Sequence, residues 1–413
     1  MSSAISPVVI IGAGGAGMIA AWRAASLGAS VILLEKNPKP GIKLLISGGG
    51  KCNVTHAGPM EDVRSRFLPR EGRFLRPAFF RFSNDDIVRL LGERGVATYA
   101  RPNGRVFPRS GNADDVVDAL AGAVRDAGVD LRLNAAVTSV TATTVRVSGE
   151  DLRAHRVVIA TGGVSYPKTG TTGDGIRWAS ALGHSVVPLR PALAPIGLHP
   201  PLPVAWRGVA IRGGELSLHQ HGKRVFSWRD DILFSHEGIT GPAALEVSRA
   251  AALALETGAC ALHFDFFPGR EFADLDAALQ SVITQYRGKM LVSLLEAWLP
   301  NRIVPALVQQ AGVDPQKRGY VLTKEERRAV THLLKDWMMG SVATIRIDRG
   351  EVTAGGVSLD EVDPHTMRSR KCASLLLCGE VLDIAGPVGG YNLQAAFSTG
   401  FVAGETAAGD WPG

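Results

Sequence analysis

Three glycines and one acid carry the first chemical signal in this sequence. Gly12, Gly14 and Gly17 stand in the spacing G-x-G-x-x-G within "PVVIIGAGGAGMIAAW", and Glu35 follows 18 residues after Gly17. A first glycine permits a tight turn, a second lets backbone approach a pyrophosphate, and a third lets a helix pack closely on its strand. The helix N-terminus then offers free N–H groups and a partial positive charge to phosphates, and an acid ending the next strand accepts hydrogen bonds from ribose hydroxyls. This is the chemistry of adenine-dinucleotide binding. An acid rather than an arginine at position 35 argues against a 2′-phosphate and leaves FAD or NAD.

Those residues need a strand, a turn, a helix and a second strand to hold them. Val8 to Ile11 and Val31 to Leu34 are continuous apolar runs of the buried parallel-strand type. Between them lies an alanine-rich helical stretch ending near Gly28. The leading "MSSAISPVVIIGAGGAG" has no basic region and its apolar run stops at glycines, so it reads as the approach to a first strand, not a signal peptide.

Composition bounds the rest. A chain of 413 residues exceeds one ordinary core, and an apolar fraction of 46% with 20% charged residues is that of a soluble globular protein of two or three domains. Forty-five Lys and Arg against 39 Asp and Glu leave +6, with the charges scattered. Clusters such as Arg368 to Lys371 read as solvated surface, and no basic stripe is interleaved with aromatics. A small-molecule substrate is therefore expected and a nucleic-acid partner is not. No stretch approaches about 18 uninterrupted apolar residues, so no membrane span is expected. Cys52, Cys260, Cys372 and Cys378 form no CxxC pair and read as reduced thiols of a cytoplasmic protein.

Directly after the acid comes "KNPKPGIKLLISGGGKCNVTH". NAD-only dehydrogenases usually continue here into further βα repeats. A Lys/Gly/Pro-rich connection leading to Gly48, Gly49, Gly50, Lys51, Cys52 and Asn53 instead suits a loop running along the dinucleotide towards a flavin. Its plainer alternative is a flexible surface loop. Cys52 is either a small packing residue of that loop or a thiol working with the flavin. "RVVIATGG" is another buried strand, whose small terminal residues would let the chain pass close to a cofactor. Asp174 in "TTGDG" resembles the segment many flavoproteins place at the next helix start, and its residue type favours the plainer role of N-cap to that helix.

From Arg190 the texture changes. The proline-rich "RPALAPIGLHPPLPVAW" marks a boundary, and "GVAIRGGELSLHQHGKRVFSW" alternates like antiparallel strands with "HQHGK" as the turn. "CALHFDFFPG" is a further strand. After Glu271 the pattern becomes helical, with Leu291, Leu294, Leu295 and Trp298 at helix spacing. His219 and His221 form an HxH without a third ligand, so no metal site is expected. His236 in "FSHEGITGP" is a weak catalytic candidate set against a structural role in its turn.

"KLLISGGGKCNVTH" resembles the signature of the BaiN/RdsA-type (YhiN-like, aminoacetone-oxidase-like) FAD-dependent oxidoreductases. "GRVFPRSGNADDVVDAL", "VVIATGGVSYPKTGTTGDGIRWASALGH", "LFSHEGITGPAAL" and the stretch from Val352 to Gly404 are similar to further blocks of that family in the same order. The resemblance implies an α/β protein: a Rossmann-like FAD-binding domain of the GR2 type with a parallel sheet, discontinuous over 1–190 and 342–413. An inserted antiparallel β-domain over 191–341, with a helical insert at about 271–340, would form the substrate and cap region. It also implies a cofactor set of Gly12, Gly14, Gly15, Ala16, Gly17, Glu35 and Lys36, then Lys43, Ser47, Gly48, Gly49, Gly50, Cys52 and Asn53. Thr161, Gly162 and Gly163 would form a second contact element, Gly379 and Glu380 would position a loop, and Asp383 would meet the ribityl chain. Gly389 and Gly390 would lead into Tyr391, Asn392 and Leu393 at a helix start aimed at the flavin N1–C2=O edge.

The activity so implied is hydride transfer between non-covalent FAD and a small organic substrate, as amine oxidation or as reduction of an activated C=C bond. NAD(P)H, if it is the reductant, would bind transiently, because the chain carries no second G-x-G-x-x-G unit. That absence and the lack of paired cysteines argue against a pyridine-nucleotide disulfide reductase. A flavin-binding sensor, a modification factor without small-molecule turnover, or an NAD-only dehydrogenase are the alternatives. No His or Cys sits in a flavinylation context.

Overall fold

Four short, largely buried runs of Val, Ile and Leu and a more exposed fifth strand at the edge build the central sheet of a computed structural model that describes residues 6–409. Parallel strands are ordered Leu375–Leu377, Arg156–Ile159, Val8–Ile11, Val31–Leu34 and Asp130–Arg132. The chain leaves Val8–Ile11 for its neighbour on one side and later returns to pair on the other. This places a topological switch point at the carboxyl ends of Val8–Ile11 and Arg156–Ile159, where open α/β sheets bind ligands. The residues just beyond those ends are Gly12 and Ala160. Met1 to Ile5, part of the stretch read above as the approach to the first strand, lie outside the described residues, as do Asp410 to Gly413.

The helix Gly15–Ser26 covers the sheet beside the C-terminal helix Tyr391–Gly409. Small residues allow their close approach. A Cβ at Gly400 would lie 2.3 Å from the Ala16 carbonyl oxygen, and one at Gly404 would lie 2.4 Å from that of Ala20.

The chain divides into two compact units, one comprising the residues up to Arg190 and those from Glu351 onward, the other Pro191–Gly350. The second unit is a closed, antiparallel six-stranded barrel ordered Ile196–His199, Ile239–Thr240, Lys223–Phe234, Ala210–Gln220, Cys260–Asp265 and Trp337–Ile345. Its core includes Trp206, Phe234, Phe264 and Trp337, with the two tryptophan rings 5.7 Å apart.

Two expectations change here. The return boundary lies at Gly350, not at 341, because Trp337–Ile345 pairs with Ile196–His199 and with Cys260–Asp265 as a barrel strand. For the same reason the helical insert ends at Lys335, its helices being Phe272–Gln285, Leu291–Leu295, Val304–Gln310 and Lys324–Lys335. The helix Pro242–Leu255, which the sequence reading did not anticipate, packs on the barrel strands through Ala243, Ala244, Val247 and Ala251. No helix among the described residues is long and apolar enough to cross a membrane.

One buried histidine in the first unit makes stability depend on pH. His184 is buried, with Nε2 2.8 Å from Ser369 Oγ and Nδ1 3.3 Å from the Glu361 carboxylate. Burial lowers its pKa, against the attraction of Glu361. The unfolded chain therefore takes up the proton at a higher pH than the folded one does. Stability is complete above the unfolded value near 6.5 and falls as pH drops below it. Urea denaturation midpoints should decline below that pH, and His184→Gln should flatten the decline. Equal slopes in both proteins would rule His184 out as the source.

Candidate functional site

The glycine turn is built by contacts that exclude side chains. Gly17 takes ordinary backbone angles, yet a Cβ there would lie 1.8 Å from the Gly12 carbonyl oxygen. Gly12 has φ +101°, and a Cβ would stand 2.6 Å from the Ala160 carbonyl oxygen. At Gly14 a Cβ would meet nothing within 4 Å, so its backbone faces open space.

Glu35, 8% exposed, closes the back of this turn. Its Oε2 accepts the Ala13 N–H at 2.8 Å, and its Oε1 accepts the Asn37 backbone N–H at 2.9 Å and the Asn37 side-chain amide at 2.8 Å. An ionised carboxylate has about four acceptor positions. Three are occupied, which leaves one for a ribose hydroxyl. Thr161, just past Arg156–Ile159, has a buried hydroxyl without a hydrogen-bond partner. A close turn, an open Gly14, a free acceptor position on a carboxylate and an orphaned hydroxyl together fit an adenine dinucleotide at the switch point.

The triple glycine does not belong wholly to a loop. A helix runs over Ile42–Gly50 and breaks at Ser47, where ψ swings to 149°; Gly48 and Gly49 then take left-handed angles. Asn53, oriented to satisfy its neighbours, donates to the carbonyls of Thr55 and Val106 at 3.2 Å each and accepts the Gly390 N–H at 3.0 Å. A Cβ at Gly390, where φ is +92°, would lie 2.4 Å from the Thr55 carbonyl. Asn53 and Gly390 thus fasten the segment 47–56 to the start of the C-terminal helix. Tyr391 completes the joint by stacking on His56 with centroids 4.6 Å apart. His56 Nδ1 lies 3.1 Å from the Gly389 carbonyl, and burial, with Arg66 and Arg105 nearby, lowers its pKa.

A polar cluster joins the second and third segments. Lys43 Nζ lies 2.5 Å from Glu380 Oε2 and donates to Ser165 Oγ at 2.7 Å. Glu380 Oε1 accepts from Ser165 Oγ at 3.1 Å and from the Thr353 N–H at 2.8 Å, while Thr353 Oγ1 accepts the N–H groups of Val164 and Ser165. Gly163 sits against this cluster, Gly162 against Thr171, and Gly379 against Ala16. Gly386 and Asn392 clasp each other, N–H to Oδ1 at 2.8 Å and Nδ2 to carbonyl at 2.9 Å, just before the helix gains its first turn. Leu393 packs on the core.

Other candidates take different roles. Lys36 is held by Asp174 and Thr172 at 2.7 Å each. Asp174 is the first helical residue rather than the N-cap, which is Gly173, and it also pairs with Arg177. Asp383 lies 3.9 Å from the Arg70 guanidinium. His236 belongs to the second unit with its side chain exposed, and the turn there is closed by Ser235 and Gly238 instead. His219 stacks on His263 at 4.1 Å, and His221 occupies the hairpin turn. Asn37, Ser165 and Thr353 escaped the sequence reading. The signal for Thr353 was a lone polar residue entering an otherwise apolar strand.

Cys52 is fully buried, and burial pushes its thiol up to about 11, only partly offset by Ser47. A thiol so protonated is a poor nucleophile, which supports the packing role over the redox one. Thiol reagents at about pH 8 should modify half-buried Cys372 in the native protein and leave Cys52 untouched. Stoichiometric labelling of Cys52 would overturn this.

Comparison with known proteins agrees with these features. Residues 6–406 match the HI0933-like protein Rossmann domain. The chain is 31% identical over 409 residues to the ribosomal RNA dihydrouridine synthase of Escherichia coli K12, covering 96% of each chain. It is 28% identical to the 3-dehydro-bile acid delta(4,6)-reductase of Clostridium scindens, over 97% of this chain and 98% of that one. In fold it is similar to 3-ketosteroid delta1-dehydrogenase from Sterolibacterium denitrificans, with TM-score 0.54 at 16% identity, covering 99% of this chain and 100% of that one. With its glycine turn, its parallel sheet and nearly its whole length accounted for, the chain belongs to the HI0933-like Rossmann family of oxidoreductases.

Proposed function

We propose that this protein is an FAD-dependent reductase of a C=C bond conjugated to a carbonyl, and that its substrate is a uracil base of ribosomal RNA. The observation that carries the cofactor assignment is the cradle at the switch point: Gly14 facing open space beside a Glu35 acceptor position and the orphaned Thr161 hydroxyl. The names of the two relatives supply the reaction class. Dihydrouridine is uridine saturated at C5–C6, and a delta(4,6)-reductase likewise saturates C=C bonds.

When bound, reduced FAD supplies the hydride for such a reaction, and NAD(P)H is the reductant that restores it. The chain's own residues do the holding. The clasp of Gly386 and Asn392 orders the entry to the helix Tyr391–Gly409. The first N–H groups of a helix lack intrahelical partners and carry partial positive charge, which favours an anion beside them. Lys43, Glu380 and Ser165 lock the adjoining segments in one arrangement.

Anaerobic titration tests this reading. The purified protein should release FAD on acid denaturation and be bleached by NADPH or NADH. Unmodified ribosomal RNA should restore the oxidised spectrum and gain dihydrouridine, read by mass spectrometry of nucleosides. Reoxidation by a steroidal enone and not by RNA would move the substrate to the small-molecule class. Bleaching of the oxidised flavin by amines, with neither RNA nor an enone able to reoxidise it, would sink the proposal, as would a colourless protein that does not take up FAD.

A further inference from the structure

Resting on the RNA reading above, the geometry points to the outer face of the helix Pro69–Arg81 and its approach as the surface on which the ribosomal RNA docks. The helix spends its apolar residues inward, with Phe74, Leu75, Ala78 and Phe79 all buried. What it presents to solvent is Arg70, Arg73, Arg76, Phe80 and Arg81, and Arg66 is exposed just before it. Its one acid, Glu71, is buried. Positions 73, 76 and 80 follow the three-four spacing of a single helical face.

The flanking cations are already paired, Arg70 with Asp360 and Arg81 with Glu405. Among the described residues, Arg66, Arg73 and Arg76 form no ion pair. Phe80 is 90% exposed, an extreme value for an aromatic side chain in a folded unit. Guanidinium groups bind phosphates bidentately and stack on bases, and an exposed ring offers a platform to an unpaired base. An anionic membrane would need an apolar face on the helix, and that face is consumed by the core.

Position adds to chemistry. The start of this helix is built onto the segment that leads to the C-terminal helix. The Ala385 N–H points to Glu71 Oε1 at 3.4 Å, Arg70 lies 3.9 Å from Asp383, and Gly386 packs beneath the Phe67 ring. Arg66 is close enough to His56 to lower its pKa. A strand lying along the face, about 15 Å from Arg70 to Phe80, therefore leads to the joint between residues 53–56 and 389–391.

The test compares the full-length FAD-loaded protein with the combined variant Arg66→Ala/Arg73→Ala/Arg76→Ala and with Phe80→Ala. Binding to unmodified ribosomal RNA transcribed in vitro is measured across a salt series. The triple variant should bind at least about tenfold more weakly at physiological salt. Its slope of log K against log salt should flatten by about 2, because each lost phosphate contact removes a little under one unit. Phe80→Ala should weaken binding about tenfold with the slope unchanged, as loss of stacking predicts. Melting temperature and FAD content should match wild type, since none of the four side chains is buried. Variants that bind RNA with wild-type affinity and slope would overturn the surface, as would a wild type that binds anionic vesicles or an acidic protein but not this RNA. Failure of the function appears separately: RNA bound through this face but never reduced would leave the docking surface standing and remove the activity.

Discussion

Gly14→Ala should give a stable protein that has lost its FAD, and Gly17→Ala a protein that has lost its stability as well. The two residues lie in one turn but face different things. A Cβ at Gly17 would lie 1.8 Å from the Gly12 carbonyl oxygen, so the helix Gly15–Ser26 must move away from the strand that feeds it. Forcing a methyl group into such a contact costs about 1–3 kcal/mol or more, and the displaced helix also carries the N–H groups proposed to face the phosphates. At Gly14 the added methyl meets no protein atom within 4 Å. It would project into the space read here as the cofactor's. Flavin absorbance per protein after purification, together with thermal melts, separates the two effects. A Gly14→Ala protein carrying a full complement of FAD would remove the pyrophosphate from this turn.

Glu35 is the second large effect. Alanine there removes the acceptor for three donors and leaves the buried Ala13 N–H without a partner. An unmet buried donor costs about 1–3 kcal/mol, and each hydrogen bond to a charged group contributes about 1.5–3 kcal/mol. The ribose hydroxyl would lose its acceptor too. Glu35→Ala should therefore weaken FAD binding at least about tenfold, the equivalent of roughly 1.4 kcal/mol, and lower the melting temperature. Glu35→Gln keeps one acceptor oxygen and should lie between the two proteins in both properties. If Glu35→Ala matched wild type in FAD affinity while losing stability, the carboxylate would be a turn brace only.

The glycine run shows where reading from sequence stops. "SGGGKCN" was legible as backbone in an unusual conformation near a cofactor-binding unit, since consecutive glycines suit left-handed angles. That Ile42–Gly50 begins as a helix and breaks at Ser47 was not legible. Nor was the partner of Asn53, because Gly390 is 337 residues away in the chain and the contact exists only once the C-terminal helix has docked. Cys52 makes the same point through charge. Its residue type permits redox chemistry, and only burial decides that the thiol stays protonated.

Asp174 and the arginine helix are further examples. An acid at a helix start reads locally as a cap, yet Lys36 comes across from residue 36 to claim it, leaving the cap position to Gly173. Along the chain, Arg66, Arg70, Arg73, Arg76 and Arg81 are diluted by apolar residues and merge into a composition with scattered charge. Folding buries the residues between them and leaves the guanidinium groups and Phe80 on one exposed face, the surface on which the RNA-docking proposal rests.

By itself the sequence determined the parallel-strand runs, the glycine turn with its acid and the existence of an inserted unit. Each of these depends on residues close in the chain, where period and spacing suffice. Tertiary structure alone decided that the insert closes as a six-stranded barrel, since closure needs Trp337–Ile345 to meet Ile196–His199, about 140 residues earlier. It also decided which polar groups find partners and which, like the Thr161 hydroxyl, are left without one. Hydrogen bonding in a folded interior depends on which groups are brought together in space, and a linear order of residues does not specify those distances.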